Sequence, residues 1–240
     1  MPIRIDLHTH SHFSVDGTCS PDELIEAARN RGIDGIALTD HDTCEGVLSL
    51  MDKGVIREDG LPFNDFLVIP GMEISTAEGH LLCIGAVLPE LKGRPALEAC
   101  EIIHLHGGLA IPAHPFDCFR SSLGKRVMSQ LPIDAVETFN AASTLAAFNW
   151  SSKKFAQEHG LAEVAGSDAH TTDAVGRAHV VLDIEENTFS KASVLQALRQ
   201  PGNELSCQYS TFIQRAKKCF YTLLRHAPCH YPAPPAESLH

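Results

Sequence analysis

The chain has 240 residues, 44% of them hydrophobic and 20% charged, values ordinary for a globular protein and contrary to a disordered or fibrous class. A net charge of −11, from 19 basic and 30 acidic side chains, argues against duplex nucleic acid as a general partner but leaves room for a local basic pocket that takes one phosphate. No apolar run approaches the roughly 20 residues of a transmembrane segment, and Met1 leads directly into a strand pattern without an apolar signal, so a cytoplasmic location is expected.

Short β-branched runs alternate with helix-length segments from Ile3 to about Asp183, the pattern of repeated β-α units on a parallel sheet, closed as a barrel or doubly wound. Strands are predicted at Ile3 to His8, Ile33 to Thr39, Phe66 to Gly71, His80 to Ala86, Leu109 to Ala113, Ile133 to Thr138, Leu161 to Gly166 and His179 to Ile184. The first helix has the fullest boundary signal, with Ser20 as N-cap, Pro21 at the first helical position, Glu23 completing a capping box and Gly32 just past its end. Further helices are predicted at Glu45 to Val55, Pro95 to His106, Ser121 to Gln130, Thr144 to His159 and Lys191 to Gln200.

Residues 1–204 read as one domain and 205–240 as a cationic helical and Pro-rich tail, since 205–236 carry four basic side chains and no acidic one. Phe212, Ile213, Ala216, Cys219, Phe220, Leu223 and Leu224 fall on one helical face, which suits a helix packed on the domain or a contact with a partner or membrane surface. Pro228, Pro232, Pro234 and Pro235 predict a frayed end. The eight cysteines, at 19, 44, 83, 100, 118, 207, 219 and 229, form no CxxC pair and read as free thiols; Cys19, Cys44 and Cys118 adjoin candidate ligand motifs.

His8 and His10 lie two apart on a strand, so their imidazoles share a face. Gly166-Ser167-Asp168-Ala169-His170 repeats the spacing with an acid and a His. On parallel strands the rim following each apolar run collects His8 and His10, Asp40-His41-Asp42, Glu73, His114, and Asp168 with His170. Imidazole plus carboxylate, without thiolate pairs, suits manganese, zinc or iron rather than a structural zinc site. Asp6, Asp40 and Asp42 adjoin the ligands and are candidates to orient their rings or, alternatively, to cap strand ends. Arg120, Lys125, Arg126 and Arg177 leave the same rim, and Arg120 and Arg177 lead as phosphate contacts.

The runs Asp6-Leu7-His8-Thr9-His10-Ser11, Leu38-Thr39-Asp40-His41-Asp42-Thr43, Pro70-Gly71-Met72-Glu73-Ile74-Ser75, Ala113-His114-Pro115 and Gly166-Ser167-Asp168-Ala169-His170 resemble the motifs of the PHP (polymerase and histidinol phosphatase) family. They stand in the family's order over about residues 3–184. The resemblance implies an α/β fold, a distorted (β/α)7 barrel related to the amidohydrolases, with two or three divalent metal ions. It implies a first metal on His8, His10, Glu73 and Asp168, a second sharing Glu73 and adding His80 and His114, and a third on Asp16, His41 and His170. Asp16, in Ser14-Val15-Asp16-Gly17, stands where many members have His. Val136-Glu137-Thr138-Phe139-Asn140 resembles a further family run, in which Asn140 stands at the substrate; Glu137 and Asn140 could equally satisfy loop backbone.

The expected function is a phosphoesterase for a small phosphorylated metabolite or nucleotide, with a metal-bridging hydroxide attacking phosphorus and Glu73, Asp168 and His170 as the catalytic centre. A histidinol-phosphate or phosphotyrosine-type phosphatase, a non-catalytic regulatory module and an amidohydrolase-type deacetylase or deaminase stay open as alternatives. About 50 residues separate His114 from Asp168, too few for the helical insertion that the resemblance implies for nucleotide and RNA-trimming members, so a more open pocket is expected and a nucleotide substrate is less favoured.

Overall fold

The computed structural model describes residues 2–211 together with 213 and 214. The elements in chain order are β1 (Ile3–Thr9), α1 (Pro21–Arg29), β2 (Gly35–Leu38), α2 (Glu45–Asp52), β3 (Leu67–Ser75), β4 (His80–Ile84), α3 (Ala96–Leu105), β5 (Leu109–Pro112), α4 (Gly124–Met128), β6 (Ala135–Asn140), α5 (Ala146–His159), β7 (Ala162–Gly166), β8 (Ala178–Leu182), α6 (Lys191–Leu198) and β9 (Glu204–Cys207), with a 3₁₀ turn at Glu186–Thr188. The capping box of α1 forms as its sequence predicts: Ser20 Oγ accepts from the Glu23 amide at 3.2 Å, and the Glu23 carboxylate accepts from the Ser20 amide at 2.7 Å. Such a cap contributes about 1 kcal/mol.

Strand direction departs from a uniform parallel repeat. β1, β2 and β3 are parallel, but β4 is antiparallel to β3 and β5 to β4, while on the other side β8 is antiparallel to β1 and β9 to β8. The order is β5-β4-β3-β2-β1-β8-β9, and β6-β7 form a separate parallel ladder. The turn between Ser75 and His80, closed by the Thr76 amide donating to Gly79 O at 3.1 Å, is too short for the crossover that a parallel neighbour requires. β9, a short strand without a β-branched residue, is absent from the sequence-based expectation. It begins at Glu204 and pairs with β8, so the sheet runs across the domain boundary drawn there. The apolar face expected from Phe212 to Leu224 lies outside the described residues except at Ile213, which is exposed.

One apolar cluster takes residues from every strand from β1 to β8, among them Ile5, Ala37, Ile69, Leu82, Ile111, Ala135, Val164 and Val180, closed by Val194, Leu195 and Leu198 of α6. Strands far apart in the sheet order share this cluster, which requires the sheet to curl around it. A second cluster joins the other face, through Ile36, Leu38, Val68, Met72 and Val136, to Leu24 and Ala28 of α1, Val47 and Leu50 of α2, Ala99 and Ile103 of α3, and Phe155 of α5. The helices thus cover the convex face. Among the described residues no helix is long and apolar enough to cross a membrane.

Two register shifts place functional side chains. β1 shifts against β2 between Asp6 and Thr9, and β6 shifts against β7 between Glu137 and Phe139. Such bulges re-aim a side chain out of strict alternation, so Leu7 joins the inner cluster while the adjacent His8 meets carboxylates. The chain after β7 is tied to β1 by the His10 amide donating to Ala169 O at 2.8 Å and the Ala169 amide donating to His8 O at 3.3 Å. Gly166 permits this approach: a Cβ there would lie 2.4 Å from His8 Cβ and 2.9 Å from Glu137 Oε1. Gly166→Ala should therefore lower stability by about 1–3 kcal/mol, the usual cost of overpacking. Thermal unfolding checks this, and an unchanged midpoint contradicts the close approach of β7 to β1.

Candidate metal centre

Glu73 is fully buried on β3, and its two oxygens face different sets of rings. Oε2 lies 2.9 Å from His8 Nε2, 3.2 Å from His10 Nε2 and 3.4 Å from His41 Nδ1. Oε1 lies 2.7 Å from His80 Nδ1 and 3.0 Å from His114 Nε2. His80 reaches this point because β4 runs antiparallel to β3: Ser75 at the end of β3 pairs with His80 at the start of β4, so a strand's beginning meets the rim where its neighbour ends.

Asp168 completes the same cluster, with Oδ1 3.5 Å from His10 Nε2 and 3.8 Å from His8 Nε2. Its other oxygen accepts from Arg120 Nη1 and, at 3.2 Å, from Asn140 Nδ2. Asp16 Oδ2 stands 2.8 Å from His170 Nε2 and 3.8 Å from His41 Nε2. His170 Nδ1 donates to the Asp168 carbonyl at 2.9 Å, which directs Nε2 toward Asp16. Among the described residues three groups have metal-ligand spacing: His8, His10 and Asp168; His41, Glu73 and His80; and His10, Asp16, His41 and His170. His10 and His41 each belong to two of them, so the centre is continuous.

Backbone strain concentrates here. Of five non-glycine residues with positive φ among the described residues, His114 (φ 32°), Asp168 (φ 53°) and Asp42 (φ 56°) lie in the ligand motifs. Such conformations cost of order 1–3 kcal/mol each and persist where the surroundings enforce them. Gly17 allows the Asp16 loop to fold closely, since a Cβ there would overlap Ser11 O at 1.9 Å.

Not every sequence-predicted residue lies where expected. Asp6 accepts from the His8, Ser167 and Gly176 amides, Asp40 from the Ser11 amide and hydroxyl, and Asp42 from the Ser75 amide. None of these three contacts an imidazole nitrogen; they hold the loops. The carboxylate against the His8 ring is Glu137, 2.9 Å from Nδ1, for which sequence reasoning assigned no such role. A lone carboxylate in the apolar strand Ala135-Val136-Glu137 was the available signal, because a buried charge requires partners. Asn140 is fully buried and uses both amide protons, on Glu137 and Asp168, while its Oδ1 accepts from the Ala142 amide at 3.0 Å. That place is inside the scaffold rather than at the substrate. Arg177 stands just before β8 and its side chain makes no contact with the cluster among the described residues. Cys44 packs in the core and Cys118 is exposed; the six described cysteines are free.

Charge is divided unevenly over the rings. Burial opposes the charged form of His8, but Glu73, Glu137 and Asp168 together hold its pKa well above the ordinary value. Burial and neighbouring charge push His41 down to about 3 despite Glu73, and burial with the Arg120 charge lowers His114. Burial would raise Glu73, yet His41, His8 and His80 hold it well below the carboxylate range. His10 Nε2 is buried without a well-aligned hydrogen bond while two carboxylates converge on it. Buried imidazole nitrogens and carboxylate oxygens aimed at common points are the donor set of divalent transition metals, so the residues fit such ions.

A family model described as PHP domain matches residues 6–84, and one described as PHP-associated matches residues 146–201. An uncharacterized protein of Methanocaldococcus jannaschii is 34% identical over 151 residues, covering 58% of this chain and 82% of that protein. The 3′,5′-nucleoside bisphosphate phosphatase of Chromobacterium violaceum is 39% identical over 86 residues, which are 34% of this chain and 27% of that enzyme. PsfC of Pseudomonas syringae PB-5123, a solved structure, superposes with a TM-score of 0.67 at 16% identity, covering 93% of this chain and 98% of that one, a likeness of fold.

Glu73→Gln tests the centre directly. It should weaken manganese binding by more than the roughly 10–100-fold that loss of an outer partner costs, with little change in the unfolding midpoint in chelator. Equilibrium dialysis reads the affinity, and retention of wild-type metal content contradicts the shared role of Glu73.

Proposed function

The chain belongs to the PHP family of hydrolases, and from that premise we propose that it is a metal-dependent phosphoesterase for a small phosphorylated metabolite or nucleotide. The observation that carries this reading is the convergence of five imidazoles on the two oxygens of Glu73. His8, His10, Glu73 and Asp168 would hold one divalent ion, Glu73, His80 and His114 a second, and Asp16, His41 and His170 a third. Bound there, manganese, zinc or iron supplies positive charge toward phosphoryl oxygens and acidifies water at neutral pH.

The protein's own part is positioning. The two oxygens of Glu73 serve separate ring sets, which suits a residue shared between two ions. Asp168 turns one oxygen to His8 and His10 and has the other gripped by Arg120 and Asn140, so its orientation is fixed. Arg120 spends Nη1 on Asp168, and its remaining guanidinium protons are available to a phosphate oxygen. Arg177 is proposed as an outer phosphate contact. Between His114 and Asp168 the chain builds only α4, β6, α5 and β7, with no further helical segment to cover the centre. A site without such a cover suits a small ester, and the net charge of −11 disfavours a duplex partner. The 3′,5′-bisphosphates are one class to test, because the C. violaceum enzyme carries that name.

Chelation followed by reconstitution with manganese should abolish and then restore phosphate release from an aryl phosphate. A panel of 3′,5′-bisphosphates, histidinol phosphate and phosphotyrosine peptides then assigns the substrate. Silence on every phosphate ester with every metal, or turnover of amides instead, contradicts the proposal.

A further inference from the structure

We infer that Glu137 is a positioning residue, holding the His8 ring so that Nε2 is its ligating nitrogen and tying the two sides of the metal centre together. The inference rests on the metal-binding reading above. Glu137 is buried on β6 at the register shift, with Oε1 2.9 Å from His8 Nδ1. Carboxylates only accept, so both ring nitrogens donate, Nδ1 to Glu137 and Nε2 to Glu73 at 2.9 Å; a cation held by Glu73 would replace the Nε2 proton, and Glu137 would keep the proton on Nδ1, which makes Nε2 the ligating nitrogen. The other oxygen of Glu137 accepts from the His114 amide at 2.6 Å and from Asn140 Nδ2 at 3.0 Å. One side chain therefore fixes the ring of a ligand on the Oε2 side of Glu73 and the left-handed backbone of a ligand on the Oε1 side. Asp6, Asp40 and Asp42 bond elsewhere, so none of them duplicates this contact.

Glutamine has the same shape but a single accepting oxygen. If its amide nitrogen faces His8, Nδ1 must become an acceptor and the ring proton moves to Nε2, the ligating position. If the amide nitrogen turns the other way, it meets the His114 N–H donor to donor. Neither orientation reproduces the native arrangement, whereas a residue that merely fills space would tolerate the exchange.

The test uses the full chain. Manganese titration of wild type comes first, followed by Glu137→Gln, with near-ultraviolet circular dichroism in chelator to compare folding. Binding about 10–100-fold weaker in a folded variant is expected. Equal affinity overturns the role of Glu137 while leaving the metal centre standing, whereas a wild type that binds no metal removes both. Should the variant not fold, ¹⁵N NMR of the zinc-loaded wild type decides: a protonated Nδ1 and metal-shifted Nε2 on His8 support the assignment, and the reverse pattern overturns it.

Discussion

Five imidazole nitrogens lie within 3.4 Å of one fully buried carboxylate, Glu73. Burying charge is expensive unless each group finds a partner, and five rings cannot all pair with one carboxylate as conventional salt bridges. Asp168 and Asp16 add negative charge at the edges, and Arg120 and Glu137 adjust the balance from outside. The result is a mixture of rings held toward the charged form, such as His8, and rings held toward the neutral form, such as His41 and His114. Neutral rings offer lone pairs and carboxylates offer anionic oxygens, which is the combination a divalent cation stabilises. The capacity of the centre to hold cations depends on this crowding.

The scaffold keeps such a cluster assembled by placing it at the end of a curled sheet whose interior and exterior are both apolar. Bulges in β1 and β6 turn His8 and Glu137 toward one another, and the close approach at Gly166 brings β7 against β1. The left-handed backbones of His114 and Asp168 are unfavourable locally and are held by the hydrogen bond that the His114 amide donates to Glu137 and by the ladder between residues 8–10 and 169. Strain at ligands and regularity elsewhere is a division common at functional sites.

Much of this was legible in the sequence because its signals were local. β-branched runs marked eight of the nine described strands, and the i, i+2 spacing of His8 with His10 and of Asp168 with His170 correctly marked residues that meet. The capping residues of α1 fixed its start. Direction was harder to read, since a short β3-β4 connection rather than any property of the strands makes β4 antiparallel and carries His80 to the rim. Which carboxylate orients a ring stayed open for a similar reason. Asp6, Asp40 and Asp42 are adjacent to ligands in sequence, but which acid reaches a ring depends on sheet curl, and Glu137 lies 129 positions from His8. β9, Glu204-Leu205-Ser206-Cys207, alternates but is only four residues long and has no β-branched residue, so its pairing with β8 identifies it.

Anomalous diffraction from crystals of the full chain soaked in manganese tests the central claim most directly. Two or three peaks are expected around Glu73, one shared with His8, His10 and Asp168 and another with His80 and His114. Peaks confined to the protein surface, or none at saturating manganese, would contradict it.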